Sequence, residues 1–253
     1  MLEKNILGLI PARFGSTRFP GKPLADIGGK PMIQRVYEQA QKELKYVYVA
    51  TDDERIEHAV SKFGGKVVMT SEDHQSGTDR CAEALLKVKQ LEETDFYAVL
   101  NIQGDEPFIS PEQIGLVAKC FNQAETELAT LVKPIKHTED LFNPNKPKVV
   151  VSKDKKALYF SRSPIPYLRS EQEKDWVDKH QYYNHIGLYG YRSDVLMEIT
   201  RLPLGQLELA ESLEQLRWLE NGYSIRVEET NEQAVAIDTP QDLEKLLKSG
   251  LIR

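Results

Sequence analysis

Along the first half of the chain, short apolar runs alternate with stretches in which apolar residues recur every three or four positions. Asn5–Ile10, Tyr46–Ala50, Lys66–Met69 and Phe96–Ile102 read as strands, the last of them nearly continuous in apolar residues, as a strand buried on both faces should be. Between them, Pro31–Leu44 places Met32, Ile33, Val36, Tyr37, Ala40 and Leu44 on one helical face, with the proline in the tolerated first turn. Asp53–Phe63 and Thr78–Leu91 read as further helices. Ser110, Pro111 and Gln113 form a capping-box pattern that opens another, running to about Phe121. This alternation predicts a parallel sheet with crossover helices.

The pattern then changes. Leu128–Pro134, Lys148–Ser152, Ala157–Ser161 and Asn184–Tyr191 are strand-like with little helix between them, which predicts a β-rich insert holding a mobile polar loop over Arg169–Gln181. A helix over Glu208–Glu220, strands over Ser224–Glu228 and Ala234–Ile237, and a last helix capped by Thr239 ahead of Pro240 complete the chain. The expected fold is α/β, with three layers, a mostly parallel central sheet and a β-rich insert. Its segments would be 1–127, 128–192 and 193–253 within one integrated domain. In such sheets ligands bind beyond the carboxyl ends of the strands, so the loops after strands are where chemistry belongs.

Composition narrows the function classes. Among 253 residues, 33 Lys and Arg against 39 Asp and Glu leave a formal charge of −6, which argues against a dedicated nucleic-acid binder. A 40% hydrophobic and 28% charged chain folds rather than staying disordered. No apolar run approaches the ~18–20 residues of a membrane helix, and no secretory signal is expected at Met1–Asn5. Cys81 and Cys120 both fall on amphipathic helices and read as buried free thiols, which fits a reducing, cytoplasmic compartment.

Against that acidic background, Arg13, Arg18, Lys22 and Lys30 face only Asp26 between Leu7 and Pro31. The loop from Leu9 to Pro23 is not a P-loop, because Gly15 and Gly21-Lys22 are wrongly spaced and Pro23 stands where Ser or Thr would bind magnesium. Its glycines, the hydroxyls of Ser16 and Thr17 and its cations nevertheless form an inventory for a polyphosphate, or else a solvated basic loop. Asp105 and Asp238 each follow a strand and could hold Mg²⁺, which needs only one or two carboxylates, or could serve as turn and cap residues. Ser76, Gly77, Thr78 and Arg80 open a helix whose free N–H groups could meet a polar ligand or merely be capped. Arg162 could pair with a carboxylate, and His185 and Tyr189, four apart, face one side of a strand, as binding groups or as core. Glu211, Glu214 and Gln215 share a helical face that is otherwise simply solvated. No zinc spacing and no hydrolase elbow are present.

These segments resemble the signatures of sugar nucleotidyltransferases, and within them the 3-deoxy-manno-octulosonate (Kdo) cytidylyltransferase family. The resemblance rests on PARFGSTRFPGKPL at Pro11–Leu24, ATDD at Ala50–Asp53, MTSEDHQSGTDR at Met69–Arg80 and NIQGDEP at Asn101–Pro107. It continues through FNP at Phe142–Pro144, ALYFSR at Ala157–Arg162, HIGLYGYR at His185–Arg192, LEQLR at Leu213–Arg217 and DTPQDLE at Asp238–Glu244. It implies that the three-layer fold is a nucleotide-binding one, and it implies transfer of the cytidylyl group of CTP to Kdo, giving CMP-Kdo and pyrophosphate for lipopolysaccharide synthesis, with Mg²⁺ held by Asp105 and Asp238. Arg13 and Lys22 would neutralise the triphosphate. Pro11, Ala12, Ser16, Ser76, Gly77, Thr78, Arg80 and Gln103 would complete the nucleotide site. Gln103, Arg162, His185, Tyr189, Glu211 and Glu214 would hold the sugar. A homodimer through the β-rich insert is implied, with neither nucleic acid nor membrane as partner. The alternatives are another sugar nucleotidyltransferase, such as one making CMP-sialic acid, and a non-catalytic nucleotide-sugar sensor; the joint presence of Lys22, Asp105 and Asp238 speaks against the sensor.

Overall fold

In the computed structural model, which describes residues 4–15, 19–232 and 236–248, the first strand β1 (Ile6–Ala12) is buried almost throughout. It is followed by α1 (Met32–Ala40), β2 (Tyr46–Thr51), α2 (Glu54–Lys62), β3 (Val67–Met69), α3 (Gly77–Leu91), β4 (Ala98–Asn101) and α4 (Pro111–Cys120). The apolar periodicity of α1 is realised, with Met32, Ile33, Val36, Tyr37 and Ala40 buried. Asp53 caps α2 by accepting from the Arg55 N–H, and Ser76 with Asp79 makes a reciprocal capping box on α3.

These strands pair in parallel in the order β3-β2-β1-β4. From β1 the chain steps outward through β2 to β3, then returns past β1 to β4. Right-handed crossovers in opposite directions put α1 and α2 on one face and α3 on the other, so this region has three layers. The reversal lies between β1 and β4, and ligands in open α/β sheets bind at such a switch point, beyond the strands' carboxyl ends.

The chain divides after Ala118 and after Glu232 into two compact units, and the second is built differently. It contains β5 (Leu128–Pro134), α5 (Thr138–Phe142), β6 (Lys148–Val151), β7 (Ala157–Ser161), α6 (Trp176–Lys179), β8 (Tyr183–Arg192), α7 (Ser193–Ile199), α8 (Gln206–Glu211), α9 (Gln215–Glu220) and β9 (Ile225–Glu229). Here β5 pairs with β8 antiparallel and with β9 parallel, while β6 pairs antiparallel with both β7 and β8. The parallel character expected of the sheet therefore belongs to the first unit, and the second is mixed. The first unit is completed by α10 (Pro240–Lys248), capped as expected by Thr239, whose hydroxyl accepts from the Asp242 N–H.

Several expectations need correction. The polar segment Arg169–Gln181 carries α6, and Trp176 is buried in a cluster with Ile135, Leu141 and Tyr182, so an aromatic anchor pins what its composition made a free loop. The short helices α5 and α7 give no periodic signal of their own, being five and seven residues long and set directly beside strands. The helix expected over Glu208–Glu220 breaks at Ser212, which takes a left-handed conformation (φ 51°) between α8 and α9. The strand expected over Ala234–Ile237 lies partly outside the described residues, and Ala236 and Ile237 are not strand. Both cysteines are buried thiols outside any disulfide, as expected.

Candidate active site

The carboxyl end of β1 opens into a cavity of about 280 Å³. Pro11, Ala12, Arg13, Lys22, Ser76, Gly77, Arg80, Gln103, Asp105 and Asp238 all line it, so most of the residues expected to hold nucleotide and metal converge from four separate stretches of sequence. Thr78 is buried beneath this lining and does not reach it, and Ser16 lies outside the described residues.

Two glycines make the geometry possible. Gly104 lets the loop after β4 approach β1 closely, since a Cβ there would sit 3.0 Å from the Pro11 carbonyl oxygen. Gly21 adopts φ +70° ahead of Lys22 and donates its N–H to the Phe14 carbonyl, closing the loop between Arg13 and Lys22. The Phe14 ring is in turn covered by the Arg55 guanidinium, 3.3 Å from its centroid.

Asp105 and Asp238 are brought together by main chain and core. The Ile237 N–H donates to the Asp105 carbonyl (2.9 Å), and the Ile237 side chain is buried with Ile27, Met32 and Leu246. Lys22 reaches into the pair, its Nζ donating to Asp105 Oδ2 at 2.7 Å and to Asp238 Oδ1 at 3.3 Å. Two carboxylates converging on a cation are a donor set that suits a hard divalent ion completed by water and phosphate oxygens. Among the described residues no cluster of three or more His, Cys, Asp or Glu offers an all-protein cage. Beside the pair, burial and then the Asp105 charge raise the Glu106 carboxyl to about 7, and its Oε2 has no hydrogen-bond partner.

On the far wall, Ser76 is committed to its cap, accepting from the Asp79 N–H and donating its hydroxyl proton to the Asp79 carboxylate. Arg80 is buried and donates to Asp52, Thr70 and the Ser71 carbonyl. Its guanidinium thus holds the wall in shape, and Asp52, which lies in the ATDD segment but carries no expected role, orients it. His74 also lines the cavity and is bound to Glu83. Burial pushes the Glu83 carboxyl up, but hydrogen bonds from Lys87, the Ser71 N–H and His74 outweigh it and hold the group down to about 2. Of the other cations in the Leu7–Pro31 stretch, Lys30 is engaged by Glu38 and Arg18 lies outside the described residues.

The residues expected to meet a sugar fall in the second unit, apart from Gln103. His185 and Tyr189 have ring centroids 5.2 Å apart, although four residues of straight strand would separate their Cα atoms by about 13 Å. A register shift between Thr130 and Leu131 gathers them, since Thr130 pairs with Tyr189 while the next residue, Leu131, pairs with Ile186. Thr130 Oγ1 donates to the Ile186 and Leu188 carbonyls and lies 3.1 Å from His185 Nε2. The single hydroxyl proton is taken by carbonyls that can only accept, so His185 Nε2–H is the donor to Thr130 and Nδ1 keeps its lone pair. Burial lowers the imidazole to about 3, so it is neutral at ordinary pH. Burial, then the nearby Tyr191 and Glu214, raises Tyr189 well above the usual phenol range, and its buried hydroxyl has no partner. Gln215 Nε2 and Trp218 Nε1 are likewise buried without partners, and the Trp218 ring meets Tyr189 edge-on at 5.2 Å.

Arg162 donates to three main-chain carbonyls, of Glu211, Pro144 and Ser212. This is the reason for the helix break. Glu211 and Ser212 would give those carbonyls to Gln215 and Leu216 in a continuous helix, and they turn them to Arg162 instead. Glu211 and Glu214 therefore do not share a helical face. Nη1 and Nη2 each keep a second N–H beyond these bonds.

The sequence from 7 to 230 matches the family model described as Cytidylyltransferase. The chain belongs to the cytidylyltransferase family. This cytidylyltransferase is 60% identical over 247 residues to the 3-deoxy-manno-octulosonate cytidylyltransferase of Parabacteroides distasonis, covering 96% of this chain and 97% of that one. It is 48% identical over 252 residues to the protein of the same name from Geobacter sulfurreducens, covering 96% and 98%. Among solved structures, a CMP:2-keto-3-deoxy-manno-octonic acid synthetase in complex with CTP superposes with a TM-score of 0.88 at 44% identity, over 97% of this chain and 98% of that one. A cytidylyltransferase from Leptospira borgpetersenii, at 17% identity and a TM-score of 0.60 over 97% and 86% of the two chains, shares the fold.

Proposed function

We propose that this cytidylyltransferase joins CTP to Kdo, forming CMP-Kdo and pyrophosphate for lipopolysaccharide synthesis, in an Mg²⁺-dependent reaction. The observation that carries the reading is the convergence of Lys22, Asp105 and Asp238 in the cavity at the β1–β4 switch point, in a chain 60% identical to proteins bearing the Kdo cytidylyltransferase name.

Asp105 and Asp238 hold the metal, which supplies Lewis-acid charge neutralisation on the phosphate oxygens. Arg13 and Lys22 bind the triphosphate. Pro11, Ala12, Ser16 and the Ser76–Arg80 wall receive ribose and cytosine, where main-chain groups at the start of α3 can tell an exocyclic amino group from a carbonyl. In the second unit, Arg162 turns its remaining N–H groups to the sugar carboxylate while its other donors fix the α8–α9 break. His185 Nδ1 accepts from a sugar hydroxyl, and the Tyr189 hydroxyl, Glu211 and Glu214 meet the remaining hydroxyls. Gln103 touches nucleotide or sugar. The anomeric hydroxyl attacks the α-phosphorus in line with the departing pyrophosphate, and the chain's contribution is positioning and charge placement, as is general for phosphoryl transfer. A homodimer in the cytoplasm is part of the same reading; no described helix is long and apolar enough to cross a membrane.

The test is pyrophosphate release across four nucleoside triphosphates, with Kdo and N-acetylneuraminate as acceptors. Turnover confined to CTP with Kdo is expected. Preference for the sialic acid would move the enzyme to the neighbouring specificity, and light scattering of the purified chain checks the dimer.

A further inference from the structure

We infer that Lys22 is a built-in counter-ion for the metal site, which occupies the carboxylate pair in the absence of nucleotide and is handed to the triphosphate when the divalent cation enters. The inference rests on the reading that Asp105 and Asp238 hold that cation. Its basis is the position of the Lys22 ammonium, bonded to one oxygen of each carboxylate and largely withdrawn from solvent, with 15% of its side chain exposed. In that setting a charge pair is stronger than at an open surface.

An ion held by Asp105 and Asp238 would share the two carboxylates that Lys22 now holds, and a dication beside an ammonium on the same carboxylates is repelled by it. The two cations therefore compete for the pair. Lys22 is equipped to leave. Its charge sits at the end of a flexible four-carbon stem, whereas its main chain is fixed by the 3-10 turn over Lys22–Leu24 and by the Gly21–Phe14 bond. Arg13 lines the same cavity as Lys22, so phosphate drawn there would offer the ammonium a second set of anionic oxygens. Metal and nucleotide then favour each other's binding through the movement of a single side chain, a coupling that is reciprocal by linkage. Without nucleotide the ammonium also offsets the mutual repulsion of two part-buried carboxylates.

The experiment is Mn²⁺ binding to the nucleotide-free chain, read as free Mn²⁺ by electron paramagnetic resonance, for wild type, Lys22→Met, Lys22→Gln, Lys22→Arg and Asp105→Asn, each checked for folding by circular dichroism. Removing the ammonium should tighten Mn²⁺ binding by about tenfold or more in the Met and Gln variants, a difference of ~1.4 kcal/mol. Lys22→Arg should stay as weak as wild type, and Asp105→Asn should lose the site. A measurement on the wild type stands if the uncharged variants do not fold: one lysine ¹³Cε resonance should shift as Mg²⁺ is added without nucleotide, and should not shift in Asp105→Asn. Equal Mn²⁺ affinity in wild type and the uncharged variants, with loss in Asp105→Asn, overturns the counter-ion alone. A wild-type lysine spectrum indifferent to Mg²⁺ also overturns it. Absence of Mn²⁺ binding from every form, uncharged variants included, overturns the metal reading and this inference with it.

Discussion

Arg162 and Glu211 are tied to each other twice: the Arg162 main-chain N–H donates to the Glu211 carboxylate at 2.9 Å, and Arg162 Nε donates to the Glu211 main-chain carbonyl at 2.6 Å. Glu211 also accepts from the Ser161 hydroxyl at 2.6 Å. The clasp fixes the end of β7 to the end of α8, and through the Ser212 break it sets where α9 begins, with Glu214 and Gln215 at its first turn. A guanidinium that serves three main-chain carbonyls and, in the proposed function, a sugar carboxylate as well would not tolerate the loss of its fork.

Arg162→Ala should therefore raise the KM for Kdo by about ten- to a hundredfold while the KM for CTP changes little, and Arg162→Lys, which keeps charge but not the three-way donor geometry, should recover only part of the loss. Steady-state kinetics with each substrate varied decide this. A defect confined to CTP would show that the residue does not serve the sugar.

Asp105→Asn and Asp238→Asn should each lower kcat by about two orders of magnitude or more at limiting Mg²⁺ with the fold retained, because each removes an anionic oxygen from a pair that main chain and core hold in place. Wild-type turnover in either variant, with unchanged circular dichroism, contradicts the assignment.

Arg13→Ala should weaken CTP more than Kdo, by the loss of charge-assisted contacts to phosphate, and should weaken CMP much less than CTP. Comparing CMP and CTP binding by calorimetry separates a phosphate contact from a loop that is merely basic.

His185 links stability to acid. Its imidazole is held down to about 3 in the folded chain against an ordinary 6.5, so between those values the unfolded chain binds more protons. Its stability contribution is fully present above about pH 6.5 and is lost as pH falls toward 3, by a few kcal/mol in all, since each tenfold difference in proton affinity between folded and unfolded chain is worth about 1.4 kcal/mol. The stability of wild type relative to His185→Phe should fall as pH drops from 6.5 to about 4.5, because the opposing contribution of Glu106, raised to about 7 in the folded chain, is common to both and cancels in the difference. Urea melts across that range provide the measurement; an unchanged slope would refute it.

Lys148 acts in the opposite range. It is fully buried on β6, with Nζ donating to the Asn143 carbonyl at 2.9 Å. Burial lowers it to about 8, Glu211 opposing the shift and Arg162 adding to it. The folded chain thus bears the cost of a buried ammonium below about pH 8 and sheds it by deprotonation to the neutral amine between 8 and 10.5, which amounts to about 3 kcal/mol. The stability of wild type relative to Lys148→Met should rise across that window, and a difference that stays level with pH would place the ammonium in water.

Local chemistry made much of this protein readable in one dimension. The first four strands and first three helices follow from apolar runs and 3.6-residue spacing, because each buries its own face, and α2 and α3 also carry their own caps in Asp53 and Ser76. The cavity residues were legible for a related reason: Pro11, Lys22, Ser76 and Asp105 sit at strand ends or helix starts, where an α/β sheet puts its ligands. What the sequence could not contain is any contact whose partners are distant along it. The break between α8 and α9 is made by Arg162, about fifty residues away. The meeting of His185 with Tyr189 is made by the irregular pairing of β8 with β5. Trp176 anchors a segment whose own composition is that of a loop. Lys22 stands between Asp105 and Asp238 only because the switch point and the Ile237–Asp105 bond bring three remote loops to one place. Periodicity reports which face of an element is buried; what that face meets is decided by loop closure and long-range hydrogen bonds, which exist only once the chain is folded.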